Sequence, residues 1–287
     1  MLKVLVWQVS NDVRFKNNAL KILEQQHGGI EIIGEVLNED IVKVKKDRQY
    51  DILLVVGAKA TGMNKVTQDA AQLNLPEEKL LGDWIVCIPG FTLEKYRHLQ
   101  RSRLSIISKN CFGGFISHLM GLPFRSPFVN LFMRDNDCVQ LFENLPSYLS
   151  KELVFARLNF ESRLKFNYPI VTLGDVELHM NHYSNFEEAL AKWNERKQKI
   201  NWYNLFVVGF TSTEDILKRF DELPYGKKVC FVPFKSDLDS AWYIDPNILN
   251  KEIAFSDIVN GVANNVVTCY DLFDMLLYGK KTLLIDI

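Results

Sequence analysis

A chain of 287 residues, 47% hydrophobic and 24% charged, is long enough for two ordinary cores and reads as soluble and globular. Its 34 basic and 35 acidic residues leave a formal charge of -1, and no block of like charge marks a nucleic-acid stripe or a polybasic membrane anchor. No apolar run approaches the ~20 residues of a bilayer span. The N-terminal "MLKVLVWQVSND" has one short apolar run and no small-residue cleavage site, which predicts a first strand and not a signal peptide. Five cysteines (Cys87, Cys111, Cys138, Cys230, Cys269), an odd number without paired spacing, argue against a disulfide framework and a zinc site. The reducing cytosol is the expected compartment, and neither cofactor nor metal is expected.

The first hundred residues alternate strand and helix. "KVLVWQV" (3–9) predicts a buried strand, "NNALKILEQQ" (17–26) an amphipathic helix, "IEIIGEVL" (30–37) a second strand and "YDILLVVGA" (50–58) a third. A helix around 62–73 and a strand "DWIVCIP" (83–89) complete the unit. Strands apolar on both faces at this spacing predict a parallel sheet covered by helices. A ligand then belongs at the carboxyl ends of the strands.

A dinucleotide site there needs a glycine-rich turn after the first strand. "QVSNDVRFKN" contains no glycine, its Ser10, Asn11 and Asp12 can cap a helix, and Asp12 repels phosphate. The expectation for residues 1–103 is a Rossmann-like module that docks, dimerises or weakly senses a nucleotide.

A boundary is expected near "FTLEKYRHLQRSRL" (91–104), with a second α/β domain over 104–287. There, "DCVQLFENLPSYL" (137–149) predicts a helix interrupted at Pro146, and "VELHMNHY" (176–183) a strand. "SNFEEALAKWNERKQKIN" (184–201) predicts a helix opened by a Ser184/Glu187 capping box. Strands "NLFVVGF" and "KVCFVPF" flank a helix "STEDILKRFDEL", and the tail from Asn264 adds a helix and a strand "TLLIDI".

Between them lies "IISKNCFGGFISHLMG". Phe112, Phe115, Ile116 and Leu119 fall on one helix face and Gly121 supplies a stop, so Cys111 starts a helix, where the N-terminal partial charge favours thiolate. Gly113 and Gly114 weaken that helix by roughly 1 kcal/mol each, a cost tolerated where the backbone must approach a chain segment or a ligand. His118 lies too far along the same helix to act on the thiol. His182, ending a strand before a helix, is better placed as a base, while His179 points to the opposite face.

The runs "ISKNCFGGFISHLMGLPFRSPFVNLF", "FENLPSYLSKEL" and "YPIVTLGDVELHMNHYSNFEEALAKWNERKQKINWYNLFVV" resemble a bacterial family of unknown function often encoded among exopolysaccharide and capsule biosynthesis genes. The resemblance covers roughly residues 104–235. The order Ser-x-Asn-Cys, a Ser-Pro-Phe turn, a histidine and an arginine-bearing helix is also similar to a family described as papain-like cysteine peptidases. That similarity implies Cys111 as nucleophile and His182 as base; no motif identifies an orienting acid or amide, for which Asn110, Ser108 and Asp175 are the nearest candidates. The N-terminal segment looks like the Rossmann-like module fused to some polysaccharide enzymes, without its glycine turn.

Two functions compete on these residues. In one, Cys111 attacks an acyl group, backbone N–H groups around Gly113 and Gly114 hold the oxyanion and His182 relays protons, giving a hydrolase or acyltransferase. In the other, the same helix start cradles the phosphates of a sugar nucleotide beside Ser108, Arg125, Ser126, Arg134 or Arg196, giving a glycosyltransferase-like or accessory protein. The partners expected are a small molecule or glycan precursor and a second copy of the chain, with no nucleic acid.

Overall fold

The computed structural model describes residues 1–37, 49–58, 63–161, 165–245 and 269–285. The protein is mixed α/β, with two four-stranded parallel sheets, a three-stranded antiparallel sheet and helices. It divides into two compact units, Met1–Arg101 with Ser117–Pro123, and Ser102–Ile116 with Phe124–Ile287. No single cut separates them. Ser117–Pro123 returns to the first unit because Trp84 Nε1 donates to Leu119 O at 2.9 Å and Tyr96 Oη to Met120 O at 3.4 Å.

In the first unit β1 (Leu2–Gln8), β2 (Ile30–Leu37), β3 (Ile52–Val56) and β4 (Leu80–Gly82) lie in the order β2-β1-β3-β4. Helices α1 (Lys16–His27), α2 (Met63–Gln72), α3 (Asp83–Val86) and α4 (Leu93–Arg101) connect and follow them. Val4–Trp7 and Ile52–Val56 are buried throughout, as two-sided cover requires. The strand expected over 83–89 is instead β4 followed by α3. Asp83 Oδ1 accepts from Trp84 N at 2.9 Å and starts a helical turn, and so short an apolar run carries no period to separate helix from strand.

After β1, the residues expected to cap a helix do not; α1 begins after Phe15 without a side-chain cap. Ser10 Oγ instead donates to Gly57 O at 2.9 Å and accepts from Asp12 N at 3.1 Å. Gly57 has φ +81°, and a Cβ there would stand 2.5 Å from Ser10 Oγ. The glycine missing after β1 is supplied at the exit of β3, and it admits chain.

The second unit carries β5 (Ser105–Ser108), β9 (Leu205–Phe210), β10 (Lys228–Val232) and β11 (Ala241–Tyr243) in a parallel sheet ordered β11-β10-β9-β5. A separate antiparallel sheet, β6 (Leu153–Glu161), β7 (Phe166–Leu173) and β8 (Val176–His179), was only partly anticipated. The helices are α5 (Phe112–Leu119), α6 (Asp135–Glu143), α7 (Leu145–Ser150), α8 (Phe186–Lys197), α9 (Glu214–Asp221) and α10 (Leu272–Tyr278). α5 closes with Gly121 at φ +63° and Leu122 N bonded to Ser117 O at 2.8 Å. The core joins Ile107 and Val207 to Phe128, Phe142, Leu178 and Trp193.

Three local expectations change. β8 stops at His179, and Met180–Tyr183 is a turn closed by Tyr183 N to Met180 O at 3.0 Å, so His182 does not end a strand. The cap of α8 is Asn185, whose Oδ1 accepts from Glu188 N at 2.8 Å while Ser184 Oγ donates to Glu188 at 2.7 Å; the pair is one residue later than Ser184/Glu187. "TLLIDI" contributes one isolated bridge, Tyr270 to Leu283. Residues 264–268, 286 and 287 of the expected tail lie outside the described residues.

Candidate functional site

β5 delivers the chain into the stretch that holds the thiol. Ser108 is buried with its Oγ lacking a hydrogen-bond partner. Asn110 is buried, and its Oδ1 accepts from Phe112 N at 3.1 Å, an Asx turn that leads into α5. The Cys111 Sγ donates to Leu131 O at 3.6 Å. Burial pushes this thiol up to about 11, and backbone hydrogen bonds at Leu131, Cys111 and Asn130 pull the other way without prevailing. The helix start was expected to favour thiolate; desolvation reverses that, and the group is a neutral thiol.

The glycine pair answers to the chain. A Cβ on Gly113 would lie 3.0 Å from Ile106 Cγ2 and 3.2 Å from Ser108 Cβ, and one on Gly114 would lie 3.1 Å from Val129 Cγ1. α5 therefore closes on β5 at one glycine and on the following loop at the other. Ser126 is part of that loop. It is buried, its Oγ accepts from Phe128 N at 3.1 Å, and Phe128 packs edge-on to Phe142 and Trp193.

The same loop meets the segment before α8. Tyr183 Oη donates to Val129 O at 3.0 Å and accepts from Arg196 Nη1 at 2.8 Å, and the Arg196 guanidinium stands 5.1 Å over the Phe124 ring. Cys111 lies close enough to Tyr183 to act on its phenol, which burial chiefly raises. His182 is exposed, hydrogen-bonded to no described residue, and lowered by partial desolvation. Arg125 has a buried Nε without a partner, and burial and Arg103 both lower it. Arg134 is the N-cap residue of α6. Asp175 accepts from Tyr148 Oη at 2.8 Å and Gln140 Nε2 at 2.7 Å.

Two features of the second unit's parallel sheet carried no motif. Just past β5, Lys109 is buried, donates to Phe210 O at 2.7 Å and forms an ion pair with Asp135, which also accepts from Thr211 Oγ1 at 2.6 Å. Beside β11, from Ala241 to Tyr243, and against the segment that follows β10 lies a cavity of about 500 Å³, lined also by Lys235, Ser236, Asp237, Tyr270 and Lys281. Tyr270 Oη donates to Tyr243 O at 2.6 Å, and Lys235 Nζ lies 5.7 Å from the Tyr243 ring. Lys281 donates to Ala241 O and is lowered by burial. A depression of about 380 Å³ adjoins it and shares Lys235, Ser236 and Asp237. Since β9 and β10 stand between β5 and β11, this cavity and Cys111 belong to opposite ends of the sheet.

Residues 86–278 match a family described as Domain of unknown function (DUF1919). The chain belongs to that family. The matched region includes Cys111, the parallel sheet of the second unit and most of the cavity lining, whereas β1, β2 and β3 lie before it. An uncharacterized protein of Haemophilus influenzae is 34% identical over 183 residues, which make up 62% of this chain and 84% of that relative. The DUF1919 chain therefore has a bacterial relative, itself without an assigned activity. Among its described residues no helix is long and apolar enough to cross a membrane.

Proposed function

We propose that this DUF1919 protein binds an anionic small molecule of the sugar-nucleotide or phosphorylated glycan-precursor class in the cavity beside β11 and the segment after β10. The observation that carries this reading is a ligand-sized space beside β11 and the segment after β10, with two lysines among its lining residues. Lys235 and Lys281 offer charge to phosphate oxygens, the Tyr243 ring offers a face to a base or sugar, and Asp237 can accept from hydroxyls. The association with cell-surface polysaccharide metabolism rests on the sequence resemblance, and the protein is then a glycosyltransferase-like or accessory binder without thiol chemistry. A thermal-shift series tests it. A uridine diphosphate sugar should raise Tm and the matching neutral sugar should not; equal responses to both would count against an anion site.

A second reading retains Cys111 as nucleophile with His182 as base in a hydrolase or acyltransferase. In its favour, Cys111 lies near Tyr183, the chain neighbour of His182, whose ring hydrogen-bonds to no described residue. Against it, a thiol at about 11 is ionised in roughly one molecule in 3,000 at pH 7.5. Mass spectrometry after a mechanism-based acylating probe would reveal an adduct on Cys111 if the thiol reacts.

A further inference from the structure

The antiparallel sheet ends on one side at β6, which among the described residues pairs only with β7. Its nine residues expose Val154, Phe155, Leu158 and Phe160 at 53%, 45%, 58% and 59%. Ala156 is an extra residue between the Phe155–Val171 and Arg157–Ile170 pairs, a bulge after which Arg157–Glu161 pairs regularly with β7. Leu158 and Phe160, opposite Pro169 and Asn167, share a face with Phe155, opposite Val171. Toward Leu153 and Leu173 that face is core; toward Phe160 it runs out into solvent. A long edge strand with an open apolar face invites another strand.

We propose that this edge joins two copies of the chain, β6 running antiparallel to the partner's β6 about a two-fold axis at Asn159. The sequence Arg157-Leu158-Asn159-Phe160-Glu161 is complementary to its own reverse. With Asn159 opposite its own copy, Leu158 meets the partner's Phe160 on the apolar face, and Arg157 meets the partner's Glu161 on the other. The two-fold repeats both exchanges, as an isologous contact must. Moving the axis by one residue, to Leu158, sets Arg157 against Asn159 and loses the charge match. Arg157 already holds Glu177 through Nη1 and Nη2 at 2.5 and 2.9 Å, and its five N–H donors leave capacity for a second carboxylate. The apolar strip carries no basic cluster of the kind that a nucleic acid or anionic lipid surface requires. None of the cavity-lining residues lies on β6, so this surface stands independently of the ligand reading.

Sedimentation equilibrium and cysteine cross-linking on the full chain test it. The wild type should be a dimer at micromolar concentration. Glu161→Arg, which sets Arg against Arg across the axis, should raise the dimer Kd at least tenfold. Asn159→Cys should give a disulfide-linked dimer under mild oxidation. A wild type that stays monomeric at 100 μM overturns the proposal, and so does a dimer that forms no cross-link through position 159. Where the Kd shift and the cross-link disagree, the cross-link decides, because it reports position whatever Glu161→Arg does to folding.

Discussion

Lys109 and Asp135, 26 positions apart, form an ion pair just past the carboxyl end of β5, with the lysine side chain almost wholly buried and the carboxylate about one-third exposed. Phe210 O and Thr211 Oγ1 complete the lysine and aspartate partners respectively. Lys109→Met strands a desolvated carboxylate and should cost about 3 kcal/mol in urea unfolding, the lower end for a broken buried pair because Asp135 reaches solvent. Lys109→Met combined with Asp135→Leu should recover much of that loss. A single variant within 0.5 kcal/mol of wild type, roughly the range of surface substitutions, contradicts the pairing.

The thiol titration follows from burial. Iodoacetamide should modify Cys111 slowly at pH 7.5, and the rate should climb as pH approaches about 11. Asn110→Ala removes the Asx-turn bond that leads into α5 and should lower stability by about 1 kcal/mol while leaving that profile in place. Fast labelling of Cys111 at neutral pH would restore the nucleophile.

A pH effect is centred on His179. Its ring stacks on Phe132 with centroids 4.3 Å apart, Nδ1 lies 3.3 Å from Tyr168 Oη, and Nε2 has no partner. Burial first, then Arg134 and Arg157, lower it to about 4 against the opposing pull of Glu177. A depressed folded pKa gives stability that is present above 6.5 and lost as pH falls from there toward 4. The loss should approach roughly 3 kcal/mol, and His179→Phe should flatten it. An unchanged slope in the variant would assign the acid sensitivity elsewhere.

Asp83 behaves oppositely. Burial raises it to about 6, with Asp12 adding to the effect, and Oδ2 has no partner. A raised folded pKa means the group favours the fold below 3.8 and that contribution disappears as pH rises through 6. Asp83→Asn should therefore raise Tm at pH 7.5, by on the order of 2 kcal/mol in stability, and by little at pH 4. A loss of Tm at pH 7.5 would mean that the carboxylate has a partner the fold requires.

The parallel strands were readable because runs such as Ile52–Val56 are buried on both faces and so apolar without interruption. Gly113 and Gly114 correctly signalled a close approach, but a glycine reports only missing space, and the neighbours turned out to be Ile106, Ser108 and Val129. Ser126, expected beside a ligand, accepts from Phe128 N in its own turn. β6 escaped notice because the bulge at Ala156 breaks the two-residue period and its outer residues are apolar where polar ones mark solvent. Lys109 carried no signal in the sequence, since its partner Asp135 lies 26 positions further along the chain. The cavity could not be read at all. Lys235, Tyr243 and Lys281 come from segments without a motif, and only the fold gathers them.

Isothermal titration calorimetry of the full chain with a uridine diphosphate sugar tests the proposed anion site most directly. Binding should weaken at least tenfold in Lys235→Met with Lys281→Met, provided circular dichroism shows the variant folded, and should be unaltered by Cys111→Ser. Undiminished heat in the folded lysine variant, or binding abolished by Cys111→Ser, would contradict the assignment and return the site to the thiol.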